Sequence, residues 1–192
     1  MRRLNYQHLI SFLVVSVFFF GCDSKKNEAV STPAPKADSA APAPDSSAEA
    51  RANLNQAFAY ISSAKLAPNN ALRDELLNNA EVELSSAIAK KPDFVEALSN
   101  RGVIHITLGR LNKAEEDLKR AVQINPAHAD SLYNLACLYS LTKKLDLAAD
   151  ALSQALSVGF NDTERLRNDP DLNSFRSTKQ FKEILEKNKI FL

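Results

Sequence analysis

Between Leu77 and Phe160 the chain repeats itself with a period of 34 residues. Leu77, Ala80, Leu84, Ala87, Ile88 and Pro92 return as Leu111, Ala114, Leu118, Ala121, Val122 and Pro126, and again as Leu145, Ala148, Leu152, Ala155, Leu156 and Phe160. A unit of this length is one supersecondary element that cannot bury its apolar face alone, so neighbouring units stack and share a core. The pattern predicts an all-α fold, a short α-solenoid of antiparallel helix pairs. Such a fold offers surface rather than a catalytic pocket.

Composition agrees with helices. The 192 residues contain four Gly and no Trp, with Ala and Leu abundant, which disfavours a turn-rich sheet protein. The formal charge is +1; Arg2 and Arg3 belong to the leader, which has no acids, so the remainder carries 22 basic and 23 acidic side chains, or −1. That balance gives no field to attract nucleic acid.

Residues 1–21 read as a signal peptide. Arg2 and Arg3 give a basic start, and Leu9 to Phe20 is a twelve-residue run without charge. As a helix that run measures about 18 Å, short of the ~20 residues that span a bilayer. Gly21-Cys22 at its end resembles the lipobox of bacterial lipoproteins. In that family the leader is cut before the Cys, the Cys sulfur carries a diacylglyceryl group, and the new amine can be acylated with a chain such as palmitate. Phe19 and Phe20 depart from the family's usual Leu and small residues. The resemblance makes Cys22 the lipid attachment point, and several chains on one Cys form a stable anchor. The alternative is an ordinary signal peptide cut nearby.

Residues 22–48 form a tether on this reading. From Asp23 to Ala48 there is no aromatic residue, and 16 of 26 residues are Pro, Ala or Ser. Too little apolar surface is present to offset the entropy of ordering, so disorder is expected. As a random coil the stretch spans roughly 30 Å, and stretched as polyproline II about 80 Å.

Residues 49–192 are expected to fold as one domain: a divergent hairpin over 49–92, repeats over 95–128 and 129–162, and a cap over 163–192. Pro68-Asn69-Asn70 ends the first helix, Pro92 ends the second, and Asp93 is placed to cap the third. In the unit from Val95 to Pro126, Gly102, Ala114 and Ala121 provide small residues where helices cross, Gly109 provides the turn, and Pro126 follows the second helix. These positions resemble the tetratricopeptide repeat family, a 34-residue helix-turn-helix that binds proteins. Arg101 and His105 replace the family's usual Leu and Tyr. In the next unit Lys143 replaces the turn Gly and Phe160 the Pro. The string Asp169-Pro170-Asp171-Leu172, with Phe175-Arg176 and Phe181, is similar to the closing segment of many bacterial members, and terminal units must cover the last open face.

Chemistry-bearing motifs are absent from the sequence. His8, His105 and His128 have no metal-ligand spacing, and there is no phosphate loop, nucleophile elbow or zinc-protease motif. The adjacent acids Glu115, Glu116 and Asp117 point in different directions around a helix. We therefore expect no enzyme, no cofactor, no metal and no small-molecule substrate. With Cys22 acylated, Cys137 is the remaining thiol and is expected to be packed.

The resemblance also implies a concave groove lined by the first helix of each repeat. Its residues are Glu96, Ser99, Asn100, Val103 and Ile106, then Asp130, Tyr133, Asn134, Cys137 and Leu141. Asn100 and Asn134 are suited to grip a peptide backbone and Tyr133 to give an aromatic contact. Members of the family that hold a C-terminal carboxylate use Lys and Arg, whereas Glu96 and Asp130 stand here, which favours a neutral or basic peptide. The sequence points to a lipid-anchored adaptor or scaffold of the bacterial cell envelope, facing the periplasm or the exterior, whose groove binds a protein or peptide. The alternative is a structural, self-associating homo-oligomer.

Overall fold

The computed structural model describes residues 45–191. The leader 1–21, Cys22 and the tether as far as Pro44 lie outside these residues. Among the described residues every regular element is helical and no strand occurs.

Helix α1, Ser46–Lys65, starts where the Asp45 carboxylate accepts the Ser47 N–H at 2.9 Å. It begins three residues before the expected boundary at Glu49, because Asp45 supplies a cap and Glu49 then falls in the first turn, where an acid suits the helix dipole. Asn69 caps α2, Asn70–Lys90, by accepting the Leu72 N–H at 2.9 Å. The third helix corrects an expectation: the N-cap of α3, Val95–Thr107, is Phe94, without a side-chain cap bond, and not Asp93. Phe94 is held there by burial, with the Lys91 ammonium 5.0 Å from its ring centre. Helices α4, Leu111–Ile124, α5, Ala129–Leu141, and α6, Leu145–Ser157, complete three hairpins.

Gly109, Lys143 and Gly159 end α3, α5 and α6 with φ of 71°, 57° and 103°. At each end a six-to-one backbone bond closes the turn: Arg110 N–H to His105 O at 2.8 Å, Lys144 N–H to Tyr139 O at 2.8 Å, and Phe160 N–H to Ala155 O at 2.9 Å. The left-handed conformation costs an L-residue about 1 kcal/mol. Lys143→Gly should therefore raise the unfolding free energy by about 1 kcal/mol, read as a higher urea midpoint at unchanged slope.

The hairpins stack through α2 on α3 and α4 on α5, and α3 also lies along α5. Helices α1, α3 and α5 thus form one layer and α2, α4 and α6 the other. Gly102 allows the α3–α4 crossing, since a Cβ there would lie 2.7 Å from Leu118 Cγ. Beyond Gly159 the chain turns back over the last hairpin as α7, Thr163–Asn168, a 3₁₀ turn, Pro170–Leu172, α8, Asn173–Arg176, and α9, Lys179–Lys187. Leu166, Leu172, Phe175, Phe181 and Leu185 are buried from this segment. The apolar interior falls into two clusters, one from α1 to α3 with Ala121 and one from Ile106 to Leu185. A charged network links α2, α3 and α4 through Glu81, Arg101, His105 and Asp117.

Candidate functional site

Four of the expected groove residues stand on one open stripe of α3 or at its edge. Glu96 and Val103 are exposed, Asn100 is half-buried, and Ser99 lies beneath them; Thr107 continues the stripe. They line a cleft of about 630 Å³ together with Ile61, Ala64 and Lys65 of α1, Arg73 and Leu77 of α2, Ile104 of α3, His128, Asp130 and Asn134 at the start of α5, and Arg165 of α7. Asn100 spends one amide N–H on the Glu96 carbonyl of its own helix at 2.7 Å, and its carboxamide oxygen is left for a ligand. His128 caps α5 from the edge of the cleft, its Nδ1 accepting the Ser131 N–H at 3.2 Å.

The α5 part of the expected groove is placed differently. Tyr133 is 0% exposed and Cys137 3%, both beneath the C-terminal segment. The Tyr133 hydroxyl donates to Asp169 Oδ2 at 2.9 Å, its ring stacks on Phe160 at 4.2 Å between centroids, and the Arg165 guanidinium covers it at 4.2 Å. Arg165 also pairs with Asp130 at 2.9 Å and donates to Asn134 Oδ1 at 2.9 Å, while Asn134 donates to Ser99 Oγ at 3.3 Å. Ile106 points into the core and Leu141 is partly exposed away from the cleft lining. The concave face of α5 is thus occupied by the chain's own tail.

That occupation is permanent on energetic grounds. Leu166, Leu172 and Phe175 are fully buried and Phe181 nearly so. At about 1.5–3 kcal/mol per side chain, lifting the segment would expose roughly 6–12 kcal/mol of apolar burial, as much as a whole domain's stability. Of the concave face among the described residues, the α3 stripe and its walls are what the tail leaves open.

Burial, and then the Asp169 carboxylate, push the Cys137 thiol well above its usual range, and the Cys137 S–H donates to Asp169 Oδ2 at 3.6 Å. Burial likewise raises the Tyr133 phenol. Neither group is activated for chemistry. Among the described residues, no cluster of three His, Cys, Asp or Glu is placed to hold a metal.

Charge in the cleft also differs from the acidic expectation. Asp130 is neutralised by Arg165, and the first hairpin adds Lys65 and Arg73, neither of which the repeat pattern assigns to the groove, because α1 and α2, at 20 and 21 residues, run longer than the 13 and 14 residues of α3 and α4. Arg165 gave no signal in the sequence, because it sits 35 residues from the carboxylate it pairs with.

On the other side of α3, Arg101 and His105 explain their departure from the repeat pattern. Arg101 donates to both Asp117 oxygens, at 2.8 and 2.7 Å, and to Ser85 Oγ at 3.0 Å. His105 Nε2 lies 3.6 Å from Asp117 and 3.8 Å from Glu81, which itself pairs with Arg110; His105 Nδ1 is buried without a partner. Four charged groups face the imidazole: Glu81 and Asp117, which favour its protonation, and Arg101 and Lys113, which oppose it. Burial is the largest influence and lowers its pKa from the usual 6.5. A group with a lowered folded pKa prefers the neutral form in the native state, so its contribution is complete above pH ~6.5 and is lost as pH falls through the lower folded value. Urea midpoints measured from pH 7 to 5 should fall more steeply for the native chain than for His105→Gln.

Two family models described as tetratricopeptide repeat match residues 95–128 and 118–150. A thermophilic TPR protein of Thermus thermophilus is similar in structure, 25% identical with a TM-score of 0.56, over 64% of this chain and 63% of that one. The chain therefore spans less than two thirds of that relative's length. The Arabidopsis OM64 TPR domain is similar in fold, 13% identical with a TM-score of 0.53, over 75% of this chain and 97% of that domain. No curated protein matches the chain.

Proposed function

We propose that this chain, whose folded part is a tetratricopeptide-repeat domain, is a lipid-anchored adaptor of the bacterial cell envelope that holds a segment of a partner protein in the α3 cleft. The observation that carries the reading is the open stripe Glu96, Asn100, Val103 and Thr107, the part of the concave face that the tail does not cover. Val103 is exposed beside Asn100 and Thr107 in this cleft, and among the described residues none covers it. Membrane attachment is supported by the leader and Gly21-Cys22. Among the described residues no helix is long and apolar enough to cross a membrane.

A cleft this short binds weakly by itself. A lipid anchor and tether offset that weakness by confining the domain beside an envelope partner, where effective concentration replaces affinity. Two measurements test the proposal. A photo-crosslinking residue at Val103 in living cells should trap a protein that the same residue at Val82, exposed on α2, does not; identical captures from both positions would remove the cleft from the account. Mass analysis of the mature N-terminus should find Cys22 carrying diacylglycerol, and an unmodified or absent Cys22 would remove the anchor.

A further inference from the structure

We infer that the α3 cleft reads the charge order of its ligand: it takes a polypeptide segment whose apolar side chains lie between a basic residue at the Glu96 end and an acidic residue at the Lys65 and Arg73 end. This rests on the reading of the cleft as the partner site.

The direction follows from the packing. Asn134 meets Ser99, so the start of α5 lies beside the start of α3. Ser85 meets Arg101, Glu81 meets His105 and Asn78 meets Arg110, so α2 runs antiparallel to α3 and its first turns lie past the end of α3. The α1–α2 turn, carrying Lys65 and Arg73, therefore sits at the Thr107 end, and Asp130 at the Glu96 end. Between Glu96 and Thr107 are eleven residues of rise, about 16 Å.

Charge is unequal at the two ends. Glu96 and Asp130 face one cation, Arg165, so the first end is left with a surplus acid. Of Lys65 and Arg73, Arg73 pairs with Asp74 at 3.0 Å, so the second end is left with a surplus base. Between the ends Ile61, Ala64, Leu77, Val103 and Ile104 form an apolar strip, with Ser99, Asn100 and Asn134 beside it. The ends of α3 carry about half a charge each of the opposite sense, too little to cancel whole side-chain charges. A ligand in the reverse order meets like charge at both ends and leaves both surplus groups unpaired. For exposed pairs worth up to about 1 kcal/mol each, reversal at two ends amounts to roughly tenfold in affinity.

The test uses the full chain in lipid nanodiscs and a displayed library of random 16-residue peptides, counter-selected against Val103→Arg. Peptides that lose binding to Val103→Arg should carry a basic and an acidic residue on opposite sides of an apolar stretch. They should bind the swapped chain, Glu96→Lys with Lys65→Glu, which makes the first end +1 and the second −1 while keeping both ion pairs, roughly tenfold more weakly. Versions with their own charges exchanged should regain affinity for it. Should the swapped chain not fold, Glu96→Gln with Lys65→Gln, together with the fall in native-chain binding between low and high salt, carries the same comparison. Val103-dependent peptides that ignore charge and salt would overturn the charge order while leaving the cleft as partner site. Recovery of no Val103-dependent peptide would overturn both.

Discussion

Phe175→Ala should lower the unfolding free energy by about 3–5 kcal/mol, the range for removing a fully buried Phe from a core. The ring is 0% exposed and meets Phe181 edge-on at 5.4 Å between centroids. Its backbone N–H donates to Ser140 Oγ at 3.2 Å, a bond that ties the cap to α5 across 35 residues of sequence. The loss is large because every residue of α5 from Ser131 to Ser140 is buried, and the 3₁₀ turn and α8 supply one side of that cover. A stack deprived of its cap exposes a helix that has nowhere else to hide. Denaturant unfolding gives the free energy, and thiol labelling gives the location. Cys137 should resist a maleimide in the native protein and label in Phe175→Ala under the same conditions, because the residues that cover it have loosened. A variant as stable as the native chain, or a Cys137 equally protected, would show that the tail is an appendage rather than the last layer of the solenoid.

That dependence marks where sequence reading succeeds and where it stops. Apolar spacing located the helices of the hairpins expected over 49–92, 95–128 and 129–162, and Gly109 and Lys143 marked turns that the backbone does close with positive φ. These are local signals, carried within one period of the repeat. The groove was legible only on α3. Its exposed stripe alternates with buried Leu98 and Ile104, a one-sided pattern, whereas Ser131 to Ser140 has apolar or small residues on all sides and Asp130 as the helix's one charge. An all-round apolar helix is a buried helix, so that composition was the available sign that Tyr133 and Cys137 are covered. What covers them was not readable, since Arg165 and Asp169 reach α5 from more than thirty residues away. Ordinary repeat positions say which face is concave; they do not say whether a distant segment lies in it.

Asp117→Ala should cost about 3 kcal/mol and should do so by separating the two halves of the domain. The carboxylate touches both Arg101 and His105, and it stands on α4, where Leu118 belongs to one apolar cluster and Ala121 to the other. Its removal leaves the Arg101 guanidinium with Ser85 alone, at a site where the Arg101 side chain is only 20% exposed. Breaking one partner of a buried pair costs about 3–5 kcal/mol, and the partial exposure of Arg101 places this case at the lower end. Replacing both partners removes the stranded charge, so Arg101→Leu with Asp117→Leu, which restores at position 101 the residue type usual in the repeat, should be less destabilised than Asp117→Ala alone. The cycle completed by Arg101→Leu should then show a coupling of about 1–3 kcal/mol between the two sites. Unfolding of Asp117→Ala followed by hydrogen exchange should lose protection in α1 to α3 and in α5 to α9 at different denaturant concentrations, where the native chain loses both together. Equal destabilisation of the single and double variants would mean that the network is packing with charges attached; a smaller cost for the double variant, with unfolding split in two, would mean that it is the coupling through which an uneven repeat array unfolds as one unit.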